Sequence, residues 1–293
     1  MTSGIQDMKW KLAVLLLAWA VAFYPVLPAM VEAWLSHSDN SHALLVPLIS
    51  LYFLWEKRAA MRRVPVQGSS PGLFLLVVSL AIYFVSYVGG IAFFARLMLV
   101  AALIGLLWSC LGTPMLRLLA FPLGFLFFMV PIPDTLLGMV SFPLQMVATK
   151  ISAGLIQFCS IPVYREGNML YFMQTQLEVA EACSGIRSIM SLTMLSVIFA
   201  YMSSGNWWRK VVLILSAIPI AMLANILRVS GTGVLAHFFG DRVARGFLHE
   251  FSGMVVFLFG LVLLFFVYSV LKRSKSDEER MTNDKFIVQK EVD

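Results

Sequence analysis

The chain has few charged residues for its length, and that scarcity excludes a soluble globular fold. Only 13% of its 293 residues are charged, while 60% are hydrophobic. The mean hydropathy is +0.85. Because a soluble domain usually carries about 25% charged residues, the composition indicates an integral membrane protein that crosses the bilayer several times.

The residue patterns that hold metal ions are also absent from the sequence. Cys110, Cys159 and Cys183 form no Cys-x-x-Cys pair and no evident disulfide framework. The 4 histidines show no His-x-x-x-His spacing, and there is no His-Glu-x-x-His segment. We therefore expect no metal and no other cofactor, and we interpret Cys110 and Cys159 as small buried hydrophobic residues.

The net charge of +6 does not indicate a nucleic-acid partner, because the basic residues cluster at the ends of apolar runs. That placement fits a protein oriented in a lipid bilayer by the preference of Lys and Arg for the cytoplasmic side. We interpret eight spans, at about residues 10–29, 42–56, 72–88, 91–110, 116–132, 185–203, 211–235 and 249–271. This even number puts both termini and the basic loops in the cytoplasm of a multi-pass membrane protein.

The region between the fifth and sixth spans fits neither a span nor a soluble loop. Residues 135–159 are apolar but interrupted by Pro143 and Lys150, so we predict an interfacial or re-entrant helix. Residues 166–181 contain β-formers and predict a short hairpin or extended segment. The predicted fold is thus an all-α polytopic membrane protein, with one domain over 1–271 and a charged cytoplasmic tail over 272–293.

Cys183 is the candidate nucleophile, because reactive polar residues crowd around it at the start of a span. It lies in Glu181-Ala182-Cys183-Ser184-Gly185-Ile186-Arg187-Ser188. The unpaired amides and dipole of a helix N-terminus favour a thiolate and can receive an oxyanion. Arg187, four residues later, is expected one helical turn below the thiol. There it lowers the thiol pKa, pairs with Glu181 or binds a substrate carboxylate, with Ser184 as a supporting residue.

Two later motifs fall on the same predicted face of the membrane. Asn225-Ile226-Leu227-Arg228 puts Asn225 and Arg228 on one helix side. Arg228 is either an interfacial arginine or a cation that stabilises an oxyanion. His249-Glu250-Phe251-Ser252-Gly253 opens the last span; His249 is either interfacial or the group that moves the thiol proton. Gly253 would allow close approach of a helix or substrate.

These motifs together resemble the exosortase/archaeosortase family of membrane transpeptidases. The likeness rests on the segments around Cys183, Arg228 and His249 and on Ser41-His42-Ala43-Leu44-Leu45-Val46-Pro47-Leu48 followed by Trp55. It covers about residues 10–271. Ala43 stands where a glycine is common in the family, which puts a role of His42 in doubt. Arg96, near the outer end of the fourth span, is a further candidate for the polar cluster.

The resemblance implies a cysteine enzyme with Cys183, Arg228 and His249 as its catalytic residues. It implies substrates that are exported, membrane-anchored proteins with C-terminal sorting tails. Such tails combine a Pro-Glu-Pro-like motif, a transmembrane helix and a basic end, in bacteria that make exopolysaccharide. Water or a lipid- or sugar-linked amine would then resolve the acyl-enzyme.

Two other functions compete with this interpretation. A transporter or exopolysaccharide-assembly protein would use Arg228 and His249 to bind anionic groups without catalysis. Transporters tend to show internal symmetry and broken helices in corresponding halves, and neither is evident in this sequence. A glutamic or metal-dependent intramembrane protease would need paired carboxylates or a metal-binding helix, which the sequence lacks.

Overall fold

The computed structural model describes residues 2–36, 38–173, 176–179, 185–203, 205–240 and 253–272. Spatial contacts group the chain into two compact units, Met1–Pro133 and Asp134–Asp293. Beyond residue 272, the predicted charged tail lies outside the described residues, and the assignment of 1–271 to one domain stays a prediction.

The first unit is a set of apolar helices whose bounds follow the predicted spans closely. Its elements are α1 (Thr2–Phe23), a 3-10 helix (Tyr24–Val26), α2 (Leu27–Ser36), a 3-10 helix (Ser38–Leu44), α3 (Leu45–Glu56), α4 (Arg58–Met61), α5 (Ser70–Val88), α6 (Ala92–Leu111), α7 (Thr113–Phe125) and a 3-10 helix (Leu126–Met129). The first apolar stretch is longer than the predicted span of about residues 10–29. It runs over Trp10–Ser36.

Helices α5 and α6 pack so closely that only glycine fits at their contacts. A Cβ atom added to Gly105 would lie 2.6 Å from the backbone nitrogen of Leu76, and one added to Gly72 would overlap the backbone of Ser109. Small residues at such crossings let two backbones approach in an apolar medium, where dispersion contacts replace the hydrophobic effect. The glycines therefore hold the first unit together through backbone-to-backbone contact.

The second unit combines long helices with a small sheet. Its elements are α8 (Asp134–Phe158), β1 (Tyr164–Glu166), β2 (Met169–Tyr171), β3 (Gln176–Glu178), α9 (Ile186–Met202), α10 (Trp207–Phe239) and α11 (Gly253–Lys272). Helices α9, α10 and α11 share a core that includes Leu192, Leu213, Ala217 and Leu264.

The three strands form an antiparallel sheet in the order β1-β2-β3. Tyr164 pairs with Tyr171, and Met169 pairs with Glu178. Gly167, at φ +60°, takes the first position of the two-residue turn between β1 and β2, where a positive φ suits glycine. The predicted hairpin over 166–181 is thus confirmed, with β1 beginning two residues earlier than expected.

The structure confirms an all-α polytopic membrane fold and refines the expected spans. Six of the described helices are long and apolar enough to cross a membrane, while Thr113–Met129 and Ile186–Met202 are shorter apolar helices. Helix α8 is among the six, although the sequence predicted an interfacial or re-entrant helix there. The helical form is confirmed, and both its depth in the bilayer and the total of eight crossings stay predictions.

One expectation about the cysteines is wrong. Cys159 is exposed rather than buried, and Cys110 is half-buried. Cys159 comes directly after the last residue of α8, where the chain turns through Ser160 at a φ of +63°. The turn leaves the thiol outside the packed side of α8, so hydrophobic character alone did not determine its burial.

Candidate active site

Asn225 and Arg228 lie on α10 of the second unit, as the sequence predicted. The side chain of Asn225 is only 2% exposed, whereas Arg228 is half-buried three residues later. Burying an amide in an apolar helix is costly unless its polar atoms are partnered, and neither Asn225 nor Arg228 is without an interaction. This part of α10 is therefore a polar position inside an otherwise apolar helix.

Asn225 packs directly against Gly185, the residue that precedes α9. A Cβ atom added to Gly185 would lie 3.1 Å from the Cβ atom and 3.2 Å from the Cγ atom of Asn225. Gly185 also has a φ of +82°, a left-handed conformation that glycine adopts without strain. The sequence therefore needs glycine here for two reasons, and the contact joins the cysteine motif to the Asn-x-x-Arg motif.

Helix α9 begins directly after Gly185. Gly185 is its N-cap residue and, having no side chain, makes no side-chain cap hydrogen bond. The first amides of a helix have no partner within the helix and carry a partial positive charge. Such a terminus can stabilise an anion that reaches it.

The expectation that Arg187 stacks one turn below Cys183 stays a prediction, because Cys183 lies outside the described residues. Helix α9 begins at Ile186, and the left-handed Gly185 separates it from the preceding residues. Arg187 itself is exposed on the first turn of α9, and its role at the site stays a prediction.

Just before the cysteine motif, the chain is held at Val179. The carbonyl oxygen of Val179 accepts hydrogen bonds from Nε2 of Gln145 on α8 and, at 3.3 Å, from Nδ2 of Asn168. The backbone nitrogen of Val179 donates to the carbonyl oxygen of Asn168 at 3.0 Å. With its side chain only 1% exposed, Val179 is anchored in both polar and apolar contacts.

Helix α8 also bonds to α10 beside the polar position. Ser152 donates from Oγ to the carbonyl oxygen of Ile226 at 3.2 Å, and Ile226 follows Asn225 directly. Further along, a Cβ atom on Gly233 would meet Ile156 at 2.7 Å. These contacts place the C-terminal half of α8 against the part of α10 that carries Asn225 and Arg228.

The sequence interpretation missed the supporting role of α8. Its buried face carries four polar residues at near-helical spacing: Ser141, Gln145, Thr149 and Ser152. That spacing is visible in the sequence, since residues three and four apart share one side of a helix. Pro143 and Lys150 interrupt the apolar pattern of the same segment, which instead favoured an interfacial or re-entrant helix.

Several predicted site residues lie outside the described part of the chain. They are Glu181, Cys183, Ser184 and His249. Gly253 is described at the start of α11, and no atom lies within 4 Å of a Cβ added there. The role of Gly253 at the site stays a prediction. Within the described residues, no group of three His, Cys, Asp or Glu side chains converges as a metal site would require.

Comparison with known proteins gives one match that covers most of the chain. The family model of transmembrane exosortases matches residues 34–266, a range that contains all three motifs. Searches of curated proteins and of solved structures return no match. On the strength of the family match, the chain belongs to the transmembrane exosortase family and is a multi-pass membrane protein.

Proposed function

We propose that the protein is a cysteine transpeptidase or protease that cleaves C-terminal sorting tails from exported, membrane-anchored proteins. The single observation that carries the proposal is the packing of Asn225 against Gly185. Gly185 is two residues from Cys183, and each peptide unit spans 3.8 Å at most, so their Cα atoms are within about 7.6 Å. The proposed nucleophile is thereby tied to the helix that carries the proposed cation.

Two anchors on either side of Cys183 support a positioned nucleophile. Val179 is held by Gln145 and Asn168 before Cys183, and Gly185 packs against Asn225 after it. Catalysis by a side-chain nucleophile depends on keeping the reacting atoms in attack geometry, which anchors of this kind provide. A purely structural cysteine would not need both ends of its segment fixed.

The proposed chemistry proceeds in two steps. His249 takes the thiol proton, and the Cys183 sulfur attacks the scissile carbonyl carbon, forming a C–S bond and a tetrahedral oxyanion. Arg228, Asn225 and the first amides of α9 are the donors proposed for that oxyanion. Collapse breaks the C–N bond, and the imidazolium of His249 gives its proton to the departing amine, which leaves a thioester on Cys183.

The second step releases the processed protein. Water or an amine linked to a lipid or sugar attacks the thioester carbonyl, and His249 accepts the proton of this second nucleophile. The C–S bond then breaks and the thiolate returns. Glu181, Ser184, Arg187 and Gly253 are proposed to support the site or bind substrate, which would come from the membrane as a tail with its own transmembrane helix.

The decisive experiment compares the wild-type protein with Cys183→Ala in proteoliposomes that contain a tail-bearing substrate. Mass spectrometry of the substrate should show a new C-terminus, with water or an amine added, only in the wild-type sample. We expect Cys183→Ala to lose at least a thousandfold in rate, about 4 kcal/mol. Cys110→Ala and Cys159→Ala are the matched controls and should retain activity.

The same experiment tests the competing function. A transporter or exopolysaccharide-assembly protein that binds anions through Arg228 and His249 should tolerate Cys183→Ala. Retained cleavage in Cys183→Ala would contradict a covalent mechanism. If Cys183→Ala keeps every function that can be measured for the wild-type protein, the transport alternative is favoured.

The proposed location is the bacterial inner membrane, with both termini in the cytoplasm and the site on the extracytoplasmic face. The basic residues that support this orientation lie at the ends of described helices. Arg58 comes shortly after α3, and Lys210 lies in the first turn of α10. Labelling single cysteines with an impermeant maleimide in intact cells should modify a cysteine placed at residue 167 and spare one placed at residue 65. A reversed pattern would put the site on the wrong side of the membrane.

A further inference from the structure

A cavity of about 220 Å³ in the first unit contains an arginine in apolar surroundings. It lies between the 3-10 helix Tyr24–Val26, the C-terminal end of α5 and the first turn of α6. Its lining includes Pro25, Val26 and Ala29 on one side and Arg96 on the other. The cavity is named here the Arg96 groove, after its one charged lining residue.

The charge of Arg96 is not balanced by a protein group in the described part of the chain. Arg96 is half-buried, and among the described residues it has no hydrogen-bond or ion-pair partner. Residues 70–111, which form α5 and α6, contain no Asp or Glu. Because a charge in an apolar segment is costly, such a residue within a membrane helix indicates a functional role.

The predicted orientation of the helices makes Arg96 unusual as well. Every other Lys or Arg of residues 1–133 falls at a predicted cytoplasmic end, whereas Arg96 falls at the opposite end of α6. Basic residues on that side are disfavoured during membrane insertion. The positive charge of Arg96 therefore lies at the predicted extracytoplasmic end of α6, against the preference of Lys and Arg for the cytoplasmic side.

The first turn of α6 adds further positive potential to the groove. Ala92 and Ala95 line the cavity, and Ile91, the residue before the helix, makes no side-chain cap hydrogen bond. The leading amides of a helix of 20 residues are thus without side-chain acceptors in the described structure. Together with the guanidinium, they form a setting that suits an anion.

The surroundings of the groove are those of a lipid headgroup region. Tyr87 lines the groove, its ring is 5.9 Å from that of Tyr83, and Tyr83 donates from its hydroxyl to the carbonyl oxygen of Ala22 at 2.9 Å. Aromatic residues of this kind collect at the membrane–water interface. Tyr24 and Val88 are 66% and 70% exposed beside the groove, so an apolar surface continues outward from it.

We propose that the Arg96 groove binds the phosphate group of a membrane phospholipid, with an acyl chain lying along the exposed apolar surface. An occupant that is anionic at one end and apolar at the other matches both the guanidinium and the lining. A free phosphate ion shares the charge but has nothing to place against Pro25, Val26 and Ala29. The site belongs to the first unit and does not depend on the proposed peptidase activity.

The test is a thermal-stability titration of the detergent-purified full chain. Short-chain dioctanoyl phosphatidylglycerol should raise the melting temperature of the wild-type protein saturably, while dioctanoylglycerol, which lacks the phosphate, and inorganic phosphate alone should not. In Arg96→Gln we expect the apparent Kd for the phospholipid to rise about tenfold or more. Arg117→Gln, which removes an exposed charge at the start of α7, is the matched control and should titrate like the wild type.

Two further variants keep the test decisive if Arg96→Gln folds poorly. Arg96→Lys keeps the charge and should bind with an intermediate Kd, because it loses the planar multi-donor group. Ala29→Leu fills the groove and keeps Arg96, and it should weaken phospholipid binding as well. Equal titration of Arg96→Gln and wild type would overturn the site, and equal stabilisation by inorganic phosphate would overturn its assignment to a lipid.

Discussion

The two units of the protein bury different kinds of residue. In the first unit, the buried polar side chains of the described residues are three serines, Ser50, Ser79 and Ser86, and the closest helix contacts are made by glycines. In the second unit, the described buried polar residues include amides and a guanidinium, namely Gln145, Asn225 and Arg209. The helices of the first unit are thus joined by glycine contacts and by single bonds such as that from Ser50 to Pro122, whereas the second unit also buries amide and guanidinium groups.

This difference indicates where the chemistry of the protein belongs. Glycine contacts stabilise a helix pair without orienting any particular group, because dispersion forces have little directionality. Hydrogen bonds from Gln145 to Val179 and from Ser152 to Ile226 fix the direction of main-chain groups next to the proposed site. A mechanism that depends on placing one sulfur atom needs the second kind of packing.

The largest difference between the two units is expected in how turnover responds to substitution of a histidine, His249 in the second unit and His42 in the first. His249→Gln should lower turnover by about 10²- to 10⁴-fold, as loss of a general base usually does. An unperturbed imidazole titrates near ~6.5, and the neutral form accepts the proton, so the wild-type rate should rise with pH through that range. The rise should be absent from the residual activity of His249→Gln. The matched variant in the first unit, His42→Gln, should keep the rise; its loss there would break the comparison.

A second contrast concerns the arginine of the proposed oxyanion site. Arg228→Lys keeps the charge but loses the planar guanidinium, so we expect a fall in kcat of about 10²- to 10³-fold, or 2.7–4 kcal/mol. Arg117→Lys, in the first unit, should have no effect. Crosslinked substrate should still be captured by Arg228→Lys, because the tail is recognised mainly by helix packing. Full activity of Arg228→Lys would remove it from the mechanism.

The glycine contacts of the first unit give a test of stability rather than activity. Gly105→Ala places a methyl group 2.6 Å from the backbone of Leu76, and such overpacking usually costs about 1–3 kcal/mol. Gly253→Ala in the second unit meets no atom within 4 Å and should change stability by less than about 0.5 kcal/mol. Thermal unfolding in detergent measures both variants. Comparable losses in the two would show that α11 packs more tightly than described.

The smallest effect is expected from the hydrogen bond beside the cysteine motif. Gln145→Leu removes one donor from the Val179 carbonyl, which keeps Asn168, so we expect about 1 kcal/mol of lost stability. We also expect kcat to fall up to about tenfold, or 1.4 kcal/mol, with KM unchanged. Ser50→Ala removes the 2.7 Å bond to Pro122 in the first unit and should cost similar stability without lowering kcat. Equal kcat in both variants would mean that Gln145 is only structural.

Much of the helical framework was predictable, because a membrane helix must be long, apolar and internally hydrogen-bonded. The helices α5, α6 and α9 lie within two residues of the expected bounds. The placement of Asn225 and Arg228 on one helix also followed from the period of the helix, whereas Cys183 and His249 lie outside the described residues. The family match covers the same residues.

Other features of the structure could not be predicted from the local sequence pattern. Cys159 is exposed because the chain turns immediately after α8, and a hydrophobic residue type says nothing about such a turn. Gly185, the residue before α9, takes a left-handed conformation that the sequence did not predict. A glycine in the sequence does not by itself predict a left-handed conformation, since glycine also fits a regular helix at modest cost.

The sequence by itself determined that this protein is a polytopic membrane protein of apolar helices. Composition and periodicity are sufficient for that, because the bilayer leaves few alternatives to the helix. Only the tertiary structure decided that Asn225 packs on Gly185 and that Gln145 reaches Val179. These contacts join residues 40 and 34 positions apart, and contacts over such separations depend on how whole helices pack rather than on any local signal.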